Sequence, residues 1–460
     1  MKRMLKRKLL TLSFFVAVIS FAFLTSCSDS ASKDQSSNKE NGKTKISITW
    51  RGTGESDNIR RYLEEFEKKY ESENPNIDIV LSPIIASEGD YFSKIALALK
   101  SPSTAPNIVS EDTFMLSADA NAGYLKKLDE YINSWKEWDM FVENLKEGVM
   151  GEDGSIYAVP TTTDSRGIWY NKEVFKQAGL PTDWQPKTWQ DILDAAQQIK
   201  KSVPGVIPFA MNVAKANGEA TSMQTFEMLL YSTGETLYDT KTKKWNVSGN
   251  GILDSLTFID EIMNKQKLGP SLSIALSTNY GSVMMQDLLP KGKVGMVLDG
   301  SWNIGQYVEG GAVPLDNPEE VLGFALFPTQ NGEDPGFITM SGGWAWAIPT
   351  NSKNHDLSWK VIEAMSTEEW QSKRANYEGT LTVRKDSAEN PEYASRPFIE
   401  VATKALENAY FRPKSDLYPK VSIEIQNAVE AVASGSLTPK EAAEQFKKAV
   451  TDLVGKDNVN

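Results

Sequence analysis

Apolar and polar residues alternate along Lys45-Ile46-Ser47-Ile48-Thr49-Trp50, the period of a strand with one buried face. The period then changes. Ile59, Leu63, Phe66 and Tyr70 recur at helical spacing and fall on one helix face. Asn74-Pro75-Asn76 stops that helix, and Ile77 to Leu81 reads as a second strand. Asp90 to Lys100 reads as a helix and Asn107 to Ser110 as a short strand. Strand, helix, strand, helix, strand is the order that builds a mainly parallel sheet covered by helices. Ligands of such sheets bind outside the carboxyl ends of the strands. The loops Trp50 to Glu55 and Glu111 to Thr113 are therefore expected to meet at one sheet edge.

A second α/β pattern follows. Ile156 to Pro160 reads as a strand, Thr161 to Ser165 as a polar crossing, and Ile168 to Asn171 as a further strand. Thr188-x-x-Asp191 resembles a capping box and opens a helix to Lys201. Phe209 to Asn212 and Lys293 to Leu298 read as strands, with helices near Ser222 to Ser232 and Ile252 to Lys265 between them. Asp299-Gly300-Ser301-Trp302 turns from a strand into a short helix. Phe337 to Pro349 holds two strand-like stretches around Ser341-Gly342-Gly343, and the remainder is helical, with capping-box starts at Ser366 and Thr438.

The first residues add a compartment. Met1 to Lys8 is a basic cluster, Leu9 to Leu24 is apolar and uncharged, and Leu24-Thr25-Ser26-Cys27 follows. These are the parts of an export signal, and the apolar run is shorter than the ~20 residues that span a bilayer. The last four residues look like a bacterial lipobox, which makes Cys27 the expected lipid attachment point. The competing reading is an uncleaved signal anchor. Cys27 is the only cysteine, so no disulfide framework exists. Ser28 to Lys45 has almost no apolar content and is expected to be a flexible tether reaching about 25 Å.

Composition changes the picture by exclusion. The net charge of −12 argues against nucleic-acid binding. His355 is the only histidine, so imidazole zinc sites and His-based triads are excluded. No phosphate-binding glycine loop is present, and no cofactor or metal is called for. The chain carries 12 Trp, 15 Tyr and 18 Phe, which serve either a large core or flat faces for sugar rings.

Phe66 to Ile77, Gly154 to Pro160 continuing through Trp169-Tyr170-Asn171-Lys172, Gly295 to Trp302, and Ser341 to Ile348 occur in an order that resembles the bacterial extracellular solute-binding proteins of the maltose-binding type. The resemblance spans the chain from Cys27 to the C-terminus. It implies a two-lobed α/β clamp, each lobe a mainly parallel sheet flanked by helices, with a hinge between them. By analogy one lobe comprises residues 45–161 plus 343–390 and the other 164–339 plus 395–460. It further implies a monomer that binds a carbohydrate, an oligosaccharide by first choice, and delivers it to the permease subunits of an ABC importer, held to the outer face of the membrane by its lipid.

The resemblance also directs attention to particular side chains. Trp302 and Trp344 would stack on sugar, against the alternative of packing. Trp346 lies on the same strand side as Trp344 and would belong either to the site or to the core. Asp164 in the crossing, with Arg166 two residues on, would bind hydroxyls or cap a turn. Glu111 and Asp112 end the third strand, Trp50 and Glu55 flank the first post-strand loop, and Tyr170 follows the crossing. Tyr377, Tyr410 and Arg412 are further candidates. Trp135, Trp138, Trp184, Trp189, Trp359 and Trp370 are assigned to packing. Two rival classes stay open: a clamp for a glycerol phosphate ester, polyamine or iron, and a surface glycoside hydrolase, which would need two carboxylates flanking one bond.

Overall fold

The computed structural model describes residues 39–40, 42–52, 57–86 and 88–460. Cys27 and Glu55 lie outside them. Strand β1 (Lys43–Thr49) buries Ile46 and Ile48 on its inner face. Helix α1 (Asn58–Glu73) starts where the Asp57 carboxylate accepts the N–H groups of Ile59 and Arg60, and it buries Tyr62, Leu63, Phe66 and Tyr70. Next come β2 (Ile77–Leu81), α2 (Glu88–Leu99), β3 (Ile108–Asp112), α3 (Thr113–Asn121) and β4 (Ala158–Pro160). The chain then crosses to β5 (Arg166–Asn171), α4 (Trp189–Ser202), β6 (Ile207–Ala210), β7 (Val294–Gly300), β8 (Leu322–Pro328) and β9 (Phe337–Ser341). It returns as β10 (Trp344–Ala347) and α5 (Glu368–Glu378), and ends through β11 (Ala409–Phe411), α6 (Tyr418–Ala433) and α7 (Pro439–Val454). Capping boxes form at Thr188/Asp191 and Thr438/Glu441, whereas Thr367, not Ser366, precedes α5.

The molecule is a two-lobed α/β fold, but its sheets are mixed. In the first lobe β1 is parallel to β2 and β3, while β10 runs antiparallel to both β3 and β4. In the second lobe β5 is antiparallel to β7 and β8, and only the β6–β7 and β9–β11 pairs are parallel. The expectation of mainly parallel sheets is corrected for a simple reason. A strand that enters a lobe from the crossing starts at the cleft, where its neighbours end. β5 and β10 therefore run against strands such as β7 and β3.

Apolar clusters fill both lobes, and one cluster, with Trp169, Tyr307, Ala375 and Leu381, spans them. Trp50, Tyr62, Phe66, Trp346 and Trp370 pack together in the first lobe, and Trp184, Trp189, Phe209, Phe258 and Phe446 lie within the core of the second. Trp135 and Trp359 are also buried, with Trp138 packed beside them. Among the described residues no helix is long and apolar enough to cross a membrane.

The crossings are laced by hydrogen bonds. Thr163 and Leu381 exchange backbone bonds of 3.1 and 3.0 Å, Thr161 N–H and Oγ1 donate to Trp344 O at 2.8 and 2.7 Å, and Gly342 N–H donates to Asp164 Oδ1 at 2.9 Å. Gly343 has φ +147°, and a Cβ there would meet Thr162 O at 1.9 Å. Gly336 also has a positive φ, +82°, but a Cβ there meets nothing within 4 Å. Gly343→Ala is expected to lower the melting temperature by about 4 °C or more, and Gly336→Ala by clearly less. Equal shifts in a calorimetric scan would contradict this account of the crossing.

Candidate functional site

A cleft of about 400 Å³ opens between the lobes, lined by Asp112, Trp344 and Glu378 from one side and Arg166, Glu219, Trp302 and Arg412 from the other, with Asp164 in the crossing between them. Strand β7 ends at Gly300, and a single turn, Ser301–Asn303, presents Trp302. Asp299 holds that turn by accepting Gly300 N–H at 2.7 Å and Asn303 Nδ2 at 3.1 Å. Burial raises the Asp299 carboxyl to about 6 despite these bonds. With Trp302 in this position a Cβ at residue 300 would meet its ring at 1.9 Å, so a larger residue would displace the indole. The Arg166 guanidinium sits 4.9 Å from the Trp302 ring centre and pairs with Asp164, while donating to Met340 O at 3.2 Å. Across the cleft Trp344 is half-buried, with Tyr91 and Phe92 at 5.9 and 6.2 Å behind it.

At one end of the cleft the lobes are bridged by Arg412. Its Nη2 donates to Asp112 Oδ1 at 2.7 Å, its Nη1 to Glu219 Oε2 at 3.3 Å, and its guanidinium covers the Phe114 ring at 4.7 Å. Burial disfavours the charged guanidinium, but Asp112 and Glu219 outweigh that and hold its pKa above the ordinary arginine value. Asp112 is raised by burial, opposed by Arg412 and the Phe114 N–H. Behind Arg412, Tyr418 OH lies 3.0 Å from Glu219 Oε2 and 2.7 Å from Glu227 Oε1. One phenolic proton serves one of these carboxylates. The contact with the other is satisfied if Glu227 keeps its own proton, and burial pushes Glu227 up to about 8.

Of the sequence-derived candidates, Trp302, Trp344, Asp112, Asp164 and Arg166 meet in the cleft. Four others do not. Glu111 points to the opposite side of β3 from Ser110 and Asp112, since side chains alternate along a strand. Its carboxylate is wholly buried with no hydrogen-bond partner among the described residues, and burial next to Asp119 and Asp112 holds its carboxyl well above the usual range. Trp50 is core, but its Nε1 donates to Asp57 Oδ2 at 2.9 Å and so steadies a carboxylate that does line the cleft. Trp346 is core, under Arg374 at 4.7 Å. Tyr170 is core, donating to Thr182 O at 3.0 Å. Of the further candidates only Arg412 lines this cleft; Tyr377 bonds Glu65 at 2.9 Å and Tyr410 packs on Tyr231 at 5.0 Å.

The sequence reading missed Asp57, Glu219, Gln224, Gln306, Glu378 and Thr380. Asp57 carried a signal, a helix cap directly after a strand loop. The others come from helix and loop positions with no local mark. Three groups at the cleft wall, Arg166 Nε, Gln224 Oε1 and Thr380 Oγ1, are buried and have no hydrogen-bond partner among the described residues. Buried polar atoms are normally satisfied, so these three leave hydrogen-bonding capacity unmade at the cleft wall.

The sequence pattern of the family described as bacterial extracellular solute-binding protein matches residues 54–372. An arabinooligosaccharide-binding protein of Bacillus subtilis is 24% identical over 359 residues, covering 76% of this chain and 75% of its own. An ABC transporter solute-binding protein of Thermotoga lettingae, solved with α-D-tagatose, superposes with TM-score 0.76 at 25% identity, covering 89% of this chain and 100% of that one. A maltose-bound protein of T. maritima shares the fold at TM-score 0.74 and 21% identity, covering 89% and 100%.

The Glu227 proton generates a test. Its folded pKa of about 8 lies above the ordinary 4.5, so the folded state binds the extra proton between those values. Stability from this group is full below about 4.5 and is lost as pH rises through about 8. Glu227→Gln should flatten the fall in melting temperature across that window and stabilise the protein at pH 8 by on the order of a few kcal/mol. An unchanged pH slope would show that Glu227 is ionised in the fold.

Proposed function

The chain belongs to the bacterial extracellular solute-binding proteins, and on that premise we propose that it captures a carbohydrate in the interlobe cleft and delivers it to an ABC importer. One observation carries the sugar reading: two indoles, Trp302 and Trp344, line one cleft from opposite lobes, beside polar groups with unmade hydrogen bonds. Flat π faces suit the C–H faces of sugar rings, and buried polar atoms left without partners discriminate among hydroxyl patterns. The arabinooligosaccharide, tagatose and maltose named for the similar proteins support the same class.

Mechanistically, the lobes divided at Thr161–Ser165, 339–342 and 390–395 act as bodies that close over the ligand by hinge motion. Sugar contacts made from both sides bind the closed form better and shift the population toward it. The permease subunits read that closed form. Retention at the outer membrane face is assigned to a lipid on Cys27, upstream of strand β1, which begins at Lys43. Binding without catalysis is supported by the state of the carboxylates: Asp112 is engaged by Arg412 and the Phe114 N–H, and Asp164 by Arg166 and the Gly342 N–H. The named carboxylates lining the cleft, Asp57, Asp112, Asp164, Glu219 and Glu378, outnumber its guanidiniums, Arg51, Arg166 and Arg412. That balance disfavours a phosphate ester and makes a polyamine the second reading.

Intrinsic tryptophan fluorescence, titrated with mono- and oligosaccharides and with spermidine, separates the two. A saturable change with a sugar supports the proposal, and a response to spermidine alone overturns it. Trp302→Ala and Trp344→Ala should each weaken sugar binding by about ten- to a hundredfold with the fold intact; wild-type affinity in both would sink the site assignment. Cys27→Ser should move the protein from the membrane fraction to the medium, and continued membrane association would refute the lipid assignment.

A further inference from the structure

Arg412 borders three spaces at once. It forms one end of the 400 Å³ cleft that holds Trp302 and Trp344. On its other side lies a groove of about 950 Å³ between the lobes, walled by Gly151 and Glu152 from the first and Tyr238, Asp239 and Lys414 from the second. A smaller space of about 150 Å³, lined by Phe114, Asn144, Ser341 and Pro413, also borders Arg412. What divides the interlobe volume at this point is the Arg412 side chain, buried and held from both lobes.

We propose that Arg412 is the wall that limits ligand length: it confines the saccharide to a short chain within the cleft and closes off the outer groove. The inference rests on the carbohydrate reading above. The wall is stiff for stated reasons. A guanidinium offers a planar fork of donors. One prong reaches Asp112, whose carboxylate is itself fixed by capping α3 through the Phe114 N–H at 3.2 Å. The other reaches Glu219, which also accepts from Tyr418 at 3.0 Å and from Ser222 Oγ at 3.1 Å. Phe114 lies beneath the guanidinium, and Thr113 Oγ1 is 3.4 Å from Nη2. A longer saccharide would have to break both ion pairs to pass. The groove beyond is equipped for one, because Tyr238 offers a half-exposed ring and Asp239, Asn246 and Lys414 offer hydroxyl partners.

The test is calorimetric titration of the full chain with two ladders, glucose to maltohexaose and arabinose to arabinohexaose. Wild type should gain no affinity beyond the short members of the ladder it binds. Arg412→Ala should let affinity continue to rise with length, by about tenfold (~1.4 kcal/mol) for the longest member relative to the short ones. Arg412→Met, which fills similar space without charge, should keep the wild-type cut-off even where overall affinity falls. Should Arg412→Ala fail to fold, the double variant Arg412→Ala/Glu219→Gln removes one buried charge left unpaired and reads the same cut-off. A length profile unchanged in the Ala variants overturns the wall, as does wild-type affinity that already climbs along the whole ladder. A purely structural role for Arg412 predicts equal loss for every member, which also overturns it. Absence of wild-type binding to any sugar overturns the carbohydrate reading itself, and the wall with it.

Discussion

A guanidinium taken out of water where two lobes meet has to find its carboxylates on both sides, or the charge costs several kcal/mol. Arg412 does this with Asp112 from one lobe and Glu219 from the other. Neither carboxylate is free to follow it. Asp112 caps a helix, and Glu219 is gripped by a phenol and serine hydroxyls. The bridge therefore sets how far apart the lobes stand at this end of the cleft. Behind it, burial pushes the Glu227 carboxyl up to about 8 beside the Tyr418 hydroxyl.

The crossing supplies the second constraint. Strands β3 and β7 end at the cleft, while β5 and β10 begin there. Several side chains reach the site from strand ends or from the crossing itself. Asp112 ends β3, Trp302 follows the end of β7, Arg166 and Trp344 begin β5 and β10, and Asp164 lies in the crossing. The polar crossing residues bond one another across chain segments and tie the floor of the site together. Gly300 and Gly343 lie where a ring or a carbonyl comes close to where a Cβ would stand.

Much of this was legible in the residues. The helical spacing of Leu63, Phe66 and Tyr70 and the capping boxes at Thr188 and Thr438 name their helices because local physics decides them. Trp302, Trp344, Asp164 and Arg166 were legible because they adjoin a strand-turn or the crossing. Parity was not. Whether Glu111 or Asp112 faces the cleft depends on register in the sheet, and a shift of one residue reverses the answer. Trp346 and Tyr170 read equally well as core or site until the packing on each sheet face is known. The Arg412–Glu219 pair joins positions 193 residues apart in sequence, so no local pattern announces it. The sheets read as parallel because the order of elements carries no record of which strands enter from the crossing.

The central claim is that one cleft, floored by the crossings and ended by Arg412, receives a saccharide between the two indoles. A crystal structure of the protein with the sugar that binds it most tightly tests this directly. The account predicts sugar rings against Trp302 and Trp344, hydroxyls on Arg166, Gln224 or Thr380, and the Arg412 bridge intact at the end of the chain. A sugar seated in the outer groove, or bound to one lobe without touching either tryptophan, would contradict it.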